Sequence, residues 1–424
     1  MTKIDELIQE LCPDGVETFP LEECCNILDK KRKPVTKNSR EKGEYPYYGA
    51  NGVQDYVSDY IFNGKFVLVG EDGSVITKSG TPVVTWAEGK IWVNNHAHVI
   101  EEKSGTMLRY LYFYIQTIDV TSLIHGNIPK LTGRDFRSLK IALPPLEIQR
   151  EIVSILDNFT NLTAELTAEL TARKTQYGYY RDKLLEVETD IHKYTLGEIA
   201  TVTKLAGFEF TNYVTYSERG NIIALRGLNV KNGKLDLSDV KYIDKSDFSK
   251  LERSKLHIGD MLFTYVGTVG QVAIVDEEDK YYLAPNVALI RFDKKILLPQ
   301  YMKYYFQTTQ FWDKQIRRLL QSSSMQNIPM EKIRKFEIIV PPFDVQNRIV
   351  NVLDNFEKIC SDLNIGLPAE IEARQKQYEY YRDKLLTFAE TGNTILSRAE
   401  QSRAEQSRAE QSRAEQSRAE QSTN

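Results

Sequence analysis

With 424 residues the chain is too long for one ordinary core, and its 41% hydrophobic and 27% charged composition suits two or three globular domains. No apolar stretch approaches the roughly 20 residues that span a bilayer, and "MTKIDELIQEL" has acidic residues where a signal peptide needs an apolar core. A cytoplasmic location with no membrane partner is therefore expected. The formal net charge of −4 argues against a uniformly basic surface, and Cys12, Cys24, Cys25 and Cys360 lack metal-ligand spacing and the density of a disulfide scaffold, so they read as reduced thiols.

Residues 1–143 form a first head, in which short β-type runs ("KFVLVG", "PVVTW", "IWVNNHAHVI") alternate with Gly and Asn turns before a helical "MLRYLYFYIQTI". It opens on "LDKKRKPVTKN", whose Lys30, Lys31, Arg32, Lys33 and Lys37 are either a solvated loop or a set of phosphate contacts. In "YPYYGANGVQDY", Tyr47, Tyr48, Asn51 and Gln54 stand among Gly49 and Gly52. Amide side chains can pair bidentately with adenine, and glycines let backbone approach a phosphate; a plain turn is the alternative. His96 and His98 alternate in a strand-like run and should share one face, but no third metal ligand is evident, so a structural role is expected. Asp72, Glu101 and Lys103 resemble a carboxylate and lysine nuclease pattern only as closely as chance allows at this charge density.

Residues 144–189 form an arm. Ile148, Ile152, Ile155, Phe159, Leu162, Leu166, Leu170, Tyr177, Tyr180 and Leu184 recur mainly at three and four, which predicts a helix of about 40 residues and about 60 Å with one apolar stripe. Residues 190–340 form a second head with β-type runs "MLFTYVG", "QVAIV" and "VALIRF" and a helical "YMKYYFQTTQFWDKQI". This is the one basic block, with 22 Lys and Arg against 18 Asp and Glu. Two of its stretches offer polar readers: Arg226, Asn229, Lys231 and Asn232 in "ALRGLNVKNGK", and Arg317, Arg318, Gln321, Ser322, Ser323, Ser324 and Gln326 in "RRLLQSSSMQN". Arg can take guanine bidentately, and Ser or Gln can reach bases or phosphate. Gly267 and Gly270 in "YVGTVG" suit a tight turn better than a cofactor loop.

A second arm, residues 341–388, repeats the stripe with Val345, Ile349, Val352, Phe356, Ile359 and Leu363. Gly366 and Pro368 in "IGLPAE" should then kink or restart the helix before Tyr378, Tyr381 and Leu385 resume it. The tail, 389–424, carries SRAEQ five times and is expected to be disordered or loosely helical. AGCAG written three times encodes SRAEQ, so the tract suits frame-shifting slippage and a phase-variable C-terminus; mixed synonymous codons in the gene would rule that out.

The chain is written twice. "QYGYYRDKLL" (Gln176 to Leu185) returns as "QYEYYRDKLL" (Gln377 to Leu386), and "PPLEIQREIVSILDNF" from Pro144 matches "PPFDVQNRIVNVLDNF" from Pro341 at 9 of 16 positions. "GNIP" ending at Pro129 answers "QNIP" ending at Pro329, and "FPLEEC" at Phe19 faintly answers "YTLGEI" at Tyr194. Arms alike and heads unlike suggest a scaffold that carries two different readers. The expected fold class is α/β: two mixed α/β globules separated by two long antiparallel helices, pseudo-two-fold overall.

These features resemble the specificity subunits of Type I restriction-modification enzymes. The resemblance rests on the paired Pro-Pro helix starts with Gln149 and Gln346, the two NIP segments, the two YYRDKLL arm ends and the early "CPDGVE" (Cys12 to Glu17), and it covers residues 1 to about 388. It implies two target recognition domains, each reading half of a gapped double-stranded DNA site. The helices would set the spacer and dock two methyltransferase subunits, with restriction translocase-nuclease subunits beyond them. The chain itself would bind no cofactor and catalyse nothing, while the complex would use S-adenosylmethionine, ATP and magnesium. The absence of a Walker A motif agrees, as does the lack of Asn or Asp before either Pro-Pro pair. Non-DNA-binding scaffold and autonomous nuclease are the competing classes. In the first arm "TAELTAEL" adds about 6 Å and about 40° per TAEL, close to the roughly 35° of one base pair, so copy number should change the spacer by about one base pair.

Overall fold

The computed structural model describes residues 3–73, 75–186, 193–205, 210, 212–320, 326–361 and 366–387. The chain divides into two compact units, Met1–Leu166 with Ile371–Asn424, and Thr167–Glu370. The repeat tail lies outside the described residues, as do Gln321, Ser322, Ser323 and Ser324.

In the first unit the strands are β1 (Thr18–Pro20), β2 (Asn26–Ile27), β3 (Lys42–Gly49), β4 (Gly52–Val57), β5 (Phe62–Gly70), β6 (Val84–Val93), β7 (Ala97–Glu101), β8 (Ile124–His125), β9 (Lys130–Leu131) and β10 (Lys140–Ala142). Six of them form one sheet in the order β2-β7-β5-β6-β3-β4. The period of two along β5 sends Val67 and Val69 to one core and Phe66 and Leu68 to another, so both faces of the sheet are covered.

The second unit holds β11 (Lys193–Thr195), β12 (Ala200–Lys204), β13 (Ile223–Leu225), β14 (Val230–Lys231), β15 (Lys234–Leu235), β16 (Lys241–Tyr242), β17 (Met261–Thr264), β18 (Val272–Ile274), β19 (Tyr281–Leu283), β20 (Val287–Phe292) and β21 (Glu337–Ile339). Its four-stranded sheet runs β12-β20-β17-β18, antiparallel throughout. That is the order of β2-β7-β5-β6 in the first head, with the same directions. The pairs β1–β10 and β11–β21 also correspond, and each is followed by a one-turn helix, Leu21–Cys24 and Leu196–Ile199. The faint match of "FPLEEC" to "YTLGEI" thus marks equivalent elements.

The heads differ in what is inserted between the first and second strands of this frame. In the first head the hairpin β3–β4 joins β6 in parallel and widens the sheet to six strands. In the second, the insertion supplies the hairpin β14–β15 together with β13 and β16, which join β19 from the connection between β18 and β20 in a separate three-stranded sheet.

Each head meets its arm through the same joint. Gln149 is fully buried: its Oε1 accepts the Met107 N–H (2.8 Å) and its Nε2 donates to the Pro144 (2.7 Å) and Gly105 (3.1 Å) carbonyls. Gln346, equally buried, accepts the Leu298 N–H (2.9 Å) and donates to the Pro341 and Ile296 carbonyls (both 2.9 Å). Met107 and Leu298 are the N-caps of the head helices Leu108–Ile115 and Pro299–Tyr305, and neither offers a capping side chain of its own. The glutamines thus supply a partner that an uncapped helix start needs. From the same helices, the Tyr110 hydroxyl donates to the Ala142 carbonyl (2.7 Å) and the Tyr301 hydroxyl to that of Ile339 (3.2 Å), tying each helix to the strand that precedes its arm.

The first arm is one helix, Leu146–Leu185, of 40 residues, as the stripe predicts. The second is broken into Phe343–Ser361 and Leu367–Leu386, the latter with Pro368 in its first turn, where a missing N–H costs nothing. In the first unit Tyr378, Tyr381 and Leu385 share a core with Ile148, Ile152 and Leu156, and Phe159 stacks on Tyr381 at 5.3 Å. In the second unit Leu185 lies in a core with Ile349, Val350 and Leu353, with Tyr177 packed against it, while Tyr180 sits 6.1 Å from Phe356. The first tyrosine and the last leucine of the repeated decapeptide therefore pack into a core in both units, Tyr177 and Leu185 in one and Tyr378 and Leu386 in the other. The expected stripe is off in both arms: Val352 and Ile359 stay exposed because Val350 and Leu353 face the core instead, and Tyr180 and Leu184 are exposed while Leu185 takes the core place; Leu363 lies outside the described residues. Among the described residues no helix is long and apolar enough to cross a membrane.

Candidate nucleic-acid interface

The basic loop of the first head is pinned to the sheet by one of its own cations. The Arg32 Nη1 donates to Glu71 (2.6 Å) and to the Ala97 carbonyl (2.7 Å), and its Nη2 lies 3.6 Å from Asp29. Its side chain is only 12% exposed, so Arg32 is a structural cation and not the surface contact its place in the run suggests. Lys30, Lys31, Lys33 and Lys37 remain exposed around it. The Trp92 indole N–H donates to the Lys33 carbonyl (2.7 Å), fixing the loop's course beyond β2.

His98 completes the cluster. It is fully buried, stacks on Phe136 at 4.1 Å, and places Nδ1 2.7 Å from Asp29 and Nε2 3.1 Å from the Leu131 carbonyl. Burial by itself raises the Asp29 carboxyl, but the hydrogen bond and charge of His98, the Val99 N–H and Arg32 outweigh it and hold the group below its usual value. Asp29, Glu71 and His98 converge as metal ligands would, yet Arg32 and Lys130 (3.3 Å from Glu71) already neutralise the carboxylates. The arrangement is an ion-pair cluster. The two histidines do not share a face: β7 starts at Ala97, so His96 falls in the preceding turn, hydrogen-bonded to Asp72. The antiparallel register of β5 on β7 pairs Gly70 with Ala97, which puts Asp72 and Glu101 at opposite ends of the strand and leaves no nuclease constellation.

Tyr47 and Tyr48 belong to the interior. The Tyr47 hydroxyl accepts the Val35 N–H (3.0 Å) under the Arg40 guanidinium, which lies 4.1 Å from the ring, and Tyr48 packs in the sheet's second core. The glycines of this hairpin serve its turn. Gly52 takes φ 85°, and a Cβ on Gly49 would fall 2.0 Å from the Gln54 side chain, so Gly49 lets Gln54 lie flat across the strand. The Asn94 amide donates to Gln54 Oε1 at 3.4 Å. Asn51 and Gln54 then line an open cleft of 500 Å³ with Asp72, His96, Ile128 and Lys130. Sequence reasoning does not assign these last four to a site, although Ile128 and Lys130 flank Pro129 of the first NIP segment.

In the second head Asn229 is buried. Its Nδ2 donates to the Asp236 and Asp239 carbonyls (both 2.8 Å) and its Oδ1 accepts the Arg226 N–H (3.0 Å), so it closes a loop and is not available to a ligand. Arg226 reaches the Asp239 carboxylate at 3.0 Å, and Lys231 pairs with Asp236 at 2.5 Å. The Lys231 hydrogen bond, aided by Ser238, drives Asp236 far below the usual carboxylate range. Asn232 (φ 49°) and Gly233 (φ 83°) make the two-residue turn between β14 and β15, a geometry for which Asn-Gly is the favoured pair. Arg226, Lys231 and Asn232 line an open cleft of 760 Å³ with Tyr216, Thr268 and Asn286, the last three missed from sequence. Arg317 and Arg318 are exposed on a short 3-10 turn, and the Gln326 carbonyl accepts the Gly267 N–H (2.9 Å) beside Val266 of the cleft wall. Gly267 and Gly270 have φ of 79° and 86° and form the tight turn between β17 and β18.

The two clefts occupy the same place on the shared frame. Each is bounded by the loop after the second strand of the frame in chain order (Asp72 and Gly73; Val266 and Thr268), the turn before the last (His96; Asn286), and the inserted segment. The family described as Type I restriction modification DNA specificity domain matches residues 13–173 and, a second time, residues 188–373. The chain belongs to this family. A putative type I restriction enzyme specificity subunit from Haemophilus influenzae is 36% identical over 385 residues, covering 88% of this chain and 96% of that protein. The EcoR124I/EcoR124II specificity subunit of Escherichia coli is 34% identical over 302 residues, covering 68% of this chain and 72% of its own length. Among solved structures, a chain of a type I restriction-modification system has a TM-score of 0.56 at 14% identity, covering 88% of this chain and 98% of that one. The S subunit from M. genitalium has a TM-score of 0.51 at 13% identity, covering 87% and 96%. At such identities the likeness is one of fold, and it extends over both heads of this specificity subunit.

Proposed function

We propose that each head reads one half of a gapped sequence in double-stranded DNA, and that the chain directs modification without catalysing it. The observation that carries this reading is the pair of clefts: one frame, two equivalent positions, unlike polar linings. Both are open, and their walls offer amide, hydroxyl and cationic groups of the kind that read base edges and phosphates. The exposed Lys30, Lys31, Lys33 and Lys37 in one head, and Arg317 and Arg318 in the other, suit backbone contacts.

The arms serve as spacer and as docking surface. Their exposed apolar residues, Val352 and Ile359 on one and Tyr179 on the other, favour protein partners, here two methyltransferase subunits, with restriction translocase-nuclease subunits joining them. S-adenosylmethionine, ATP and magnesium would be used by those subunits.

The test is methylation mapping in cells expressing the chain with its neighbouring methyltransferase, against the methyltransferase alone. A new gapped motif with two unlike halves is expected. An assembled complex that yields no motif would leave a scaffold without DNA specificity as the surviving reading.

A further inference from the structure

We infer that the base preference of each head is set by the segment inserted between the first and second strands of the shared sheet, residues 28–61 in the first head and 212–260 in the second. Within the first head, Gln54 and Asn51 are the side chains that read base edges. This rests on the reading that the heads bind DNA, and it says which part of each head discriminates.

The two heads share the frame β2-β7-β5-β6, which recurs strand for strand as β12-β20-β17-β18. The joint through Gln149 and Gln346 recurs bond for bond. Elements that repeat this closely do the same job in both heads, so they cannot tell one sequence from another. What differs most is the insertion, a sheet-extending hairpin in one case and, in the other, a hairpin plus two strands that pair with β19 of the β18–β20 connection in a small sheet. In both heads it supplies one wall of the cleft, opposite frame loops that take equivalent positions.

Gln54 is also built to read. A base-reading amide must be exposed yet held, because an unconstrained side chain loses rotamer entropy on contact. Gln54 is exposed, lies over a glycine that leaves no room for a Cβ, and has its Oε1 oriented by the buried Asn94. Asn94 is in turn fixed by the His96 N–H, which donates to its Oδ1 at 2.8 Å. Asn51 projects from the tip of the same hairpin, one residue before the left-handed Gly52. Neither side chain is needed for the core, in contrast to Tyr47 and Tyr48 on the same hairpin.

The experiment uses the complex of the full chain with its methyltransferase subunits, mapped for methylation and tested in competition against duplexes changed at one base pair at a time. The double substitution Asn51→Ala with Gln54→Ala is expected to blur one or two positions of a single half-site, lowering discrimination there by roughly 5- to 100-fold, with the other half untouched. Gln54→Glu replaces an adenine-pairing amide by an acceptor suited to the cytosine amino group, so the preference at one position should move toward cytosine. A shift of that kind cannot come from misfolding. Lys231→Ala, on the other insertion, should affect only the opposite half. A wild-type motif that survives the double substitution and Gln54→Glu with unchanged discrimination would overturn the inference while leaving the DNA reading intact. A wild-type complex with no gapped motif would instead overturn the underlying reading, and this one with it.

Discussion

The first and second heads share a frame and almost no sequence, and their insertions have solved the same problem differently. The first lays a hairpin onto its sheet and stabilises the loop before it with a buried cluster around Asp29, Arg32 and His98. The second joins β19 of a later connection in a small separate sheet and ties its loop with the buried amide of Asn229. The lesson is that strand order and the joint to the arm are the invariants, while the surface above them is free to vary. A charged cluster and a neutral amide are interchangeable ways of satisfying buried backbone groups.

The largest effect that would sharpen this contrast comes from Arg32→Ala. Removing the most buried cation of the cluster leaves Lys130 and the His98 hydrogen bond as the remaining partners of its two carboxylates, so the first unit should lose about 3 kcal/mol while the second is unchanged. Hydrogen exchange resolved by unit would read it, and equal loosening of both units would break the comparison. Next come Gln149→Ala and Gln346→Ala. Each strands a buried helix-start N–H and two carbonyls, and each should cost about 2 kcal/mol in its own unit. Clearly unequal losses in denaturant melts of the two variants would show that the joints are not equivalent.

Acidification should act on both units by the same sign. Asp29 in the first and Glu357 in the second are both held below their usual values. In each, burial is outweighed by partners of the carboxylate, the His98 hydrogen bond, the Val99 N–H and the Arg32 charge for Asp29, and the hydrogen-bonded Lys303 with Tyr304 for Glu357. A depressed folded pKa contributes stability that is fully present above the ordinary carboxylate value of about 4 and is lost as pH falls through the lower folded value. Asp29→Asn should flatten the acid limb of the first unit's stability profile alone. Smallest in stability, within about 0.5 kcal/mol, should be Ala at Lys30, Lys31, Lys33 and Lys37 together, since all four are exposed. Their removal should instead weaken DNA binding irrespective of sequence and make the slope of log affinity against log salt shallower by about 0.9 for each phosphate no longer neutralised. An unchanged salt slope would return the run to the status of a solvated loop.

Of the candidate site, Asn51, Gln54, Arg226, Lys231 and Asn232 were legible because exposed polar residues beside turn glycines mark surface loops. Tyr47, Tyr48, Arg32 and Asn229 come from the same stretches and turn inward. A local pattern cannot say which way a side chain points once a partner is waiting, whether distant, as Glu71 is for Arg32, or in the same aperiodic loop, as Asp236 is for Asn229. The partners are distant in sequence, or belong to loops without periodicity.

By itself the sequence determined the duplication, the long first helix, the break ahead of Pro368 and the two-headed α/β organisation. These follow from periodicity and from repeated peptides, which are local signals. Only the tertiary structure decided that heads so unlike in sequence share one strand order, that Gln149 and Gln346 are matched joints, and that two clefts fall at one position on that frame. Strand pairing and buried polar networks join residues far apart along the chain, and no window of sequence contains both members of such a pair.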